Sequence, residues 1–405
     1  MSSLRLRVSL EKEALKAIAG AFLAVLVGIG LSRFAYAPLF PAIIEAGWFD
    51  PGQAAYLGAA NLAGYLLGAI CGQRLVAYCS TATALRALML LATLAFAASA
   101  FPLSFAWYFL WRLLSGLTGG ALMVLAAPAA LSQSPPALRG LVSGAVFTGV
   151  GLGIMLSGTL VPALLTQGLP ATWFGLALLS LGATLASWTW WPRDRVPDSG
   201  EKTKPASNRR SILRGDMLAI YASYGLIAIG LVPHMVFLAD FIARGLDQGI
   251  FIAGIYWAIF GLGALMGPLV SGRLADLMGF GTSLRCLLLL NIATVGLLCI
   301  NHTIPALALS SLLAGAAVTG SVTLVLGQTR AHLSEPLLHG HAWSLATVTF
   351  ALGQAASGYG FSWLFARSDG DFRLLFLIAA IALLLALAAS RLSYHLHGKG
   401  EGSSA

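Results

Sequence analysis

Apolar residues fall in twelve blocks along the chain. They lie at 17–45, 53–76, 83–101, 105–131, 139–166 and 171–191, then at 217–242, 250–272, 283–301, 304–330, 339–366 and 372–394. A helix needs about 20 mainly apolar residues to cross a bilayer, so the blocks predict twelve transmembrane helices. Only one long polar stretch interrupts them. Residues 192–216 carry Pro192, Pro197, Pro205 and a run of charged side chains, a pattern that predicts a cytoplasmic linker. The chain divides into a first six-helix unit (1–191), the linker, and a second six-helix unit with a short cytoplasmic tail (217–405).

Composition agrees with the bilayer as solvent. Of the 405 residues, 58% are hydrophobic and 10% charged, and the mean hydropathy is +0.84. A soluble domain carries about 25% charged residues. The net charge of +9 does not point to nucleic acid, because the basic residues sit in short loops where they set topology. With the N-terminus in the cytoplasm, 19 of the 24 lysines and arginines fall on the cytoplasmic side. Three (Arg244, Arg367, Arg373) fall opposite, and Arg33 and Arg112 lie inside spans. That split predicts both termini in the cytoplasm, in a bacterial inner membrane. The first block follows Arg5, Arg7, Lys12 and Lys16 and is too long for a signal peptide, so it is expected to stay as an anchor helix. Cys71, Cys79, Cys286 and Cys299 lie in or beside apolar blocks without a C-x-x-C spacing and read as packing residues.

The two units repeat. Gly140 and Gly340 stand 200 positions apart (340 minus 140), and the same offset pairs Gly153 with Gly353, Gly158 with Gly358 and Gly72 with Gly272. Leu113-Leu114-Ser115-Gly116 resembles Leu312-Leu313-Ala314-Gly315 one residue off that register. Six plus six spans about a central linker is the order expected of parallel transporter repeats.

These features resemble the major facilitator superfamily over nearly the whole chain. Gly272-Arg273-Leu274-Ala275-Asp276-Leu277-Met278-Gly279 matches the family's loop signature G-x-L-A-D-x-x-G. The first-half copy departs from it, with Val76 where the aspartate aligns. Arg112, Gly116 and Gly120 resemble the fourth-helix arginine motif, whereas Gly149, Gly151, Gly153 and Gly158 only loosely echo the fifth-helix antiporter motif. Gly28 through Pro38 and Tyr56 through Tyr65 are similar to the YbfB/YjiJ-like subgroup. The resemblance implies an all-α membrane protein, twelve helices in two six-helix bundles, working as a secondary transporter. It also implies a role for Arg112 in proton coupling.

Arg33 is the sharpest candidate for function. It lies deep in its span, where a charge costs about 2.5–3.5 kcal/mol on insertion scales. It is either an anion-binding or coupling residue, or an arginine satisfied by backbone carbonyls at a break near Pro38 and Pro41. Arg112 is read as a coupling residue or as a structural tie to a neighbouring helix. Tyr36 shares the face of Arg33 at i+3, and Asn61 and Tyr65 form an i,i+4 pair. All three suit hydrogen bonding to an organic solute or between helices. His234 is able to titrate near neutral pH, and Gln354 is a weaker candidate. Asp240 reads as a solvated residue near the outer surface. Gly64, Gly68 and Gly72 predict close approach of another helix. Asp276 is expected to act as a latch with the start of the fifth span near Arg139, with Gly272, Arg273 and Gly279 forming the rest of the gating loop.

Taken together, these readings predict proton-coupled export of a small organic solute by alternating access, with uptake of an organic anion as the alternative. The expected partners are the solute, protons and the bilayer, with the protein a monomer. No cofactor or metal is expected. An enzyme or sensor is disfavoured, because there is no H-E-x-x-H, no paired carboxylate within the membrane and no appended soluble domain.

Overall fold

The computed structural model describes residues 2–76, 78–131, 133, 139–191, 209–333 and 335–402. They form fourteen α-helical segments: α1 (Ser2–Val25), α2 (Tyr36–Glu45), α3 (Pro51–Leu75), α4 (Thr81–Ala98), α5 (Phe105–Leu131), α6 (Arg139–Leu165), α7 (Leu169–Ser187), α8 (Gly215–Val232), α9 (Leu238–Asp240), α10 (Gly249–Met278), α11 (Phe280–Leu298), α12 (Ile304–Ala331), α13 (Pro336–Arg367) and α14 (Phe372–Gly402). Two spans are composite. The first joins α1 to α2 through π-helical Leu26–Leu31 and a turn at residues 32–35. The seventh joins α8 to α9 through π-helical Pro233–Phe237 and continues as a second π segment, Phe241–Gly245. Counted this way, the chain crosses twelve times in two six-helix bundles.

Eleven of the twelve crossings are long and apolar enough to span a bilayer. The twelfth, α13, has 32 residues but carries Gln354, Ser357 and several glycines. It packs between α3 of the first bundle and α8 of the second, so its polar positions meet protein rather than lipid. Of the expected linker, residues 192–208 lie outside the described residues. A single 3-10 turn, Arg209–Leu213, then leads into α8.

Turn chemistry sets the ends of the helices. Asp50 caps α3 in a reciprocal box with Gln53, and Pro51 occupies the first turn, where its missing N–H is harmless. Gly279, at φ +80°, stops α10 one residue before α11 begins, a conformation that favours glycine.

The repeat anticipated in the sequence is built into the packing. A Cβ placed on Gly64 of α3 would lie 1.9 Å from the Leu113 carbonyl oxygen of α5, and one on Gly116 would lie 1.9 Å from that of Asn61. In the second bundle Gly263 meets the Leu312 carbonyl and Gly315 that of Phe260, each again at 1.9 Å. All four positions shift by 199 (263 minus 64, 315 minus 116, 312 minus 113, 260 minus 61). Backbone-to-backbone contact of this kind maximises dispersion between helices where lipid offers no hydrophobic drive. The bundles meet along two seams, α6 on α10 and α3 on α13. Across the first, Trp257 Nε1 donates to Ser157 Oγ at 3.0 Å.

Candidate functional site

The site begins at the break in the first span. Its turn places the Ser32 carbonyl among side chains from two other helices. Arg112 Nη1 donates to it at 3.1 Å, Ser115 Oγ at 3.1 Å and Asn61 Nδ2 at 3.3 Å. Asn61 Nδ2 also lies 3.3 Å from the Arg112 carbonyl oxygen. Three helical segments are thereby tied at one oxygen. The close glycine contact between α3 and α5 brings Asn61 within reach of Arg112, so the motif glycines serve the site by letting the helices approach.

Tyr36 completes the support. Its hydroxyl donates to the Ala54 carbonyl at 2.7 Å, and the Arg112 guanidinium lies 4.2 Å from its ring centre. A cation over an aromatic face is favourable by about 0.5–2 kcal/mol, more when water is excluded. The hydroxyl of Tyr36 is therefore engaged inside the protein, and its ring is what it presents to Arg112.

Arg33 is held differently. Its guanidinium carbon lies 5.1 Å from the Tyr65 ring and 5.3 Å from that of Phe34. Its Nε and Nη2 are buried without any hydrogen-bond partner. The break lies before Pro38 and Pro41, which both fall within α2, and its Ser32 carbonyl bonds Arg112, Asn61 and Ser115. Unpartnered buried donors of a charged group are expensive and point to a ligand that would complete them. Beside these donors is a cavity of about 10 Å³, lined by Arg33, Tyr36, Asn61, Arg112, Met235 and Val236 among others. That is room for about one water, so an occluded pocket must widen before a solute fits.

The second bundle contributes apolar and weakly polar groups. Gln354 Nε2 lies 3.6 Å from the sulfur of Met235, and its Oε1 is unpartnered. Gln354 thus approaches the cavity through Met235. His234 faces the other way: Nε2 lies 3.2 Å from Ser310 Oγ and the ring stands edge-on to Phe376. It does not line the cavity. The repeat explains the asymmetry, since the 199-residue offset that carries Asn61 onto Phe260 carries Arg112 onto Ser311 and Ser115 onto Ala314.

Asp240 corrects the sequence reading. It is 0% exposed, and both carboxylate oxygens accept from Arg244, at 2.5 Å from Nε and 2.6 Å from Nη2. The i,i+4 spacing of Asp240 and Arg244 was visible in the sequence. The burial comes from α9, which carries Asp240 and packs against α2 and α10.

Towards the face opposite the termini, Phe40, Phe237 and Phe365 form a cross-bundle plug, with ring centres 5.0–6.4 Å apart. A larger cavity lies there too, lined by Asp50, Arg244, Phe365, Asp369 and Phe372 among others. On the face that carries the termini, Arg273, Asp276 and Gly279 are exposed and Gly272 is half-buried. Asp276 has no ion pair among the described residues. The side chain of its expected partner Arg139 lies outside the described residues.

The fold matches that of solved transporters. The chain superposes on the nucleoside transporter NupG (TM-score 0.75, 14% identity, 94% of this chain and 99% of that one). It also superposes on the xylose transporter XylE of E. coli in a partially occluded inward-open conformation (0.69, 14%, 93% and 97%). A third match is a bacterial homologue of the iron transporter ferroportin in its outward-facing state (0.64, 17%, 95% and 99%). At these identities the likeness is one of fold. No curated protein matches the sequence. Residues 25–391 match the family described as uncharacterised MFS-type transporter YbfB, and the chain belongs to that family of the major facilitator superfamily, as a membrane transporter rather than an enzyme.

Proposed function

We propose that this transporter moves a small organic solute bearing an anionic group, by alternating access of the two bundles around Arg33. The observation that carries this reading is the pair of unpartnered, buried guanidinium nitrogens of Arg33 beside the cavity. A carboxylate or similar anion would accept from both in the fork geometry that arginine favours. Arg112 lends a second positive charge while its own Nη1 stays on the Ser32 carbonyl. Asn61, Tyr65 and Gln354 supply the remaining polar contacts, and Asp276 with Gly272, Arg273 and Gly279 forms a latch in another access state.

The transport is proton-linked in this proposal, with Asp240 and His234, two buried titratable groups of the seventh span, and it runs in the export direction. Uptake would use the same site, because a secondary transporter is reversible and the gradients set the sign. The protein is proposed to act as a monomer in a bacterial inner membrane with both termini cytoplasmic. The test is flux in proteoliposomes under an imposed pH gradient, with a panel of aliphatic and aromatic carboxylates and their neutral amides. Gradient-driven movement of a carboxylate, absent for its amide and lost in Arg33→Ala, supports the proposal. Equal movement of the amide would overturn anion recognition, and movement indifferent to the pH gradient would overturn proton linkage.

A further inference from the structure

The second bundle holds a cluster that the transport site does not use. Asp216 at the start of α8, His332 just after α12, and His397 near the end of α14 meet at the face that carries the termini. One donor atom from each lies within 4.8 Å of the others. His397 Nδ1 lies 3.1 Å from Asp216 Oδ2, and the two imidazole rings have centres 4.1 Å apart. Asp216 is buried, and it also accepts from Arg214 at 3.1 Å (Nε) and 2.5 Å (Nη2).

The hydrogen bonding of His332 is the informative detail. Its Nδ1 donates to the Gln328 carbonyl at 3.0 Å, so that in the neutral ring the lone pair sits on Nε2. That Nε2 is buried and has no partner. A neutral imidazole with one N–H on a backbone carbonyl and the other nitrogen bare is how histidine presents itself to a metal.

We propose that Asp216, His332 and His397 form a site for a zinc-class divalent transition metal, bound through two imidazole nitrogens and one carboxylate oxygen, with water completing the shell. Tetrahedral zinc with ligands at about 2.0–2.2 Å sets neighbouring donors about 3.3 Å apart, close to the His397–Asp216 separation already present. Two imidazoles favour zinc, copper or nickel over magnesium and calcium. Arg214 is half-exposed and is free to swing its Nη2 off Oδ2 while Nε holds Oδ1, which orients the carboxylate as an outer partner of the metal. Three chain ends would then be clamped together: the entry of α8 from the linker and the exits of α12 and α14.

The test uses the full-length protein in detergent, purified through a tag without histidine. Zinc chloride is titrated by calorimetry, and cobalt is followed by its ligand-field absorption. The expected result is one saturable equivalent, a cobalt spectrum of low coordination number and a Tm raised by zinc but not by magnesium. His332→Gln and His397→Gln should each weaken zinc at least tenfold while keeping the metal-free Tm. X-ray absorption of the zinc-bound wild type, which needs no variant, should show two imidazoles. Failure of the wild type to bind zinc saturably would overturn the site, as would equal affinity in the double variant or a spectrum without imidazole. The His397–Asp216 contact would then be a hydrogen bond within the fold.

Discussion

The Arg112 guanidinium lies 4.2 Å from the centre of the Tyr36 ring while its Nη1 holds the Ser32 carbonyl. It is fixed in place by the protein itself. Arg33, one residue after that carbonyl, has two nitrogens with no partner. Arg112 leaves one buried nitrogen, Nε, without a partner but is anchored through Nη1, whereas Arg33 has two such nitrogens and no side-chain hydrogen bond among the described residues, so their variants should behave differently.

Arg33→Ala should leave membrane abundance and Tm at or above wild type, because it removes a buried charge that no hydrogen bond offsets. Solute flux should be lost. Arg33→Lys should restore little, since an ammonium lacks the planar fork. Flux together with fluorescence-detected size exclusion separates the two effects. A drop in abundance would show instead that Arg33 is structural.

Arg112→Ala should destabilise. It strips a charged donor from Ser32, a bond of about 1.5–3 kcal/mol, and the cation from the Tyr36 ring. Asn61→Ala should lower Tm for the same reason, by a smaller amount. A thermal-shift series that ranks Arg112→Ala below Asn61→Ala and both below Arg33→Ala would bear this out.

Twelve spans, their order, the repeat and the deep arginines were legible because bilayer crossing imposes length and apolarity on every helix, and a buried charge stands out in such a chain. The pairing of Gly64 with Leu113 was half legible: the G-x-x-x-G spacing announced a close neighbour but not which helix. Asp240 was misread because hydropathy locates a residue along a span and says nothing of the face it turns. The hub at Ser32 was invisible, since it rests on a carbonyl freed at the turn of residues 32–35 that follows the π-helical segment, which no side-chain pattern marks. The cluster of Asp216, His332 and His397 was missed because its members are far apart in sequence and only the second bundle's packing gathers them.

Gly64→Ala and Gly116→Ala should each be severe. The added Cβ would fall 1.9 Å from a backbone carbonyl oxygen, which cannot rotate away as a side chain can. Overpacking of a tight contact costs about 1–3 kcal/mol, and here the helices must separate, pulling Asn61 from Ser32. Gly144→Ala, whose Cβ meets nothing within 4 Å, is the control and should match wild type in Tm. Equal effects of all three would refute the contact.

Phe40→Ala should open the route from the face opposite the termini. Phe40 touches Phe237 and Phe365, so it joins α2 of the first bundle to the seventh span and α13 of the second. Loss of a buried phenylalanine costs about 3–5 kcal/mol where the site cannot collapse. In this plug the loss falls on the state that the plug closes. The population should move towards a form with the bundles apart on that side. Access can be read at Val236, which lines the cavity next to Arg33. With the four native cysteines replaced by serine, Val236→Cys should react slowly with a membrane-impermeant thiol reagent applied to that face. Adding Phe40→Ala should speed the reaction at least tenfold, while the bulk-conserving Phe40→Leu should speed it less. Unchanged labelling in both would mean that the three rings pack the bundles without gating them.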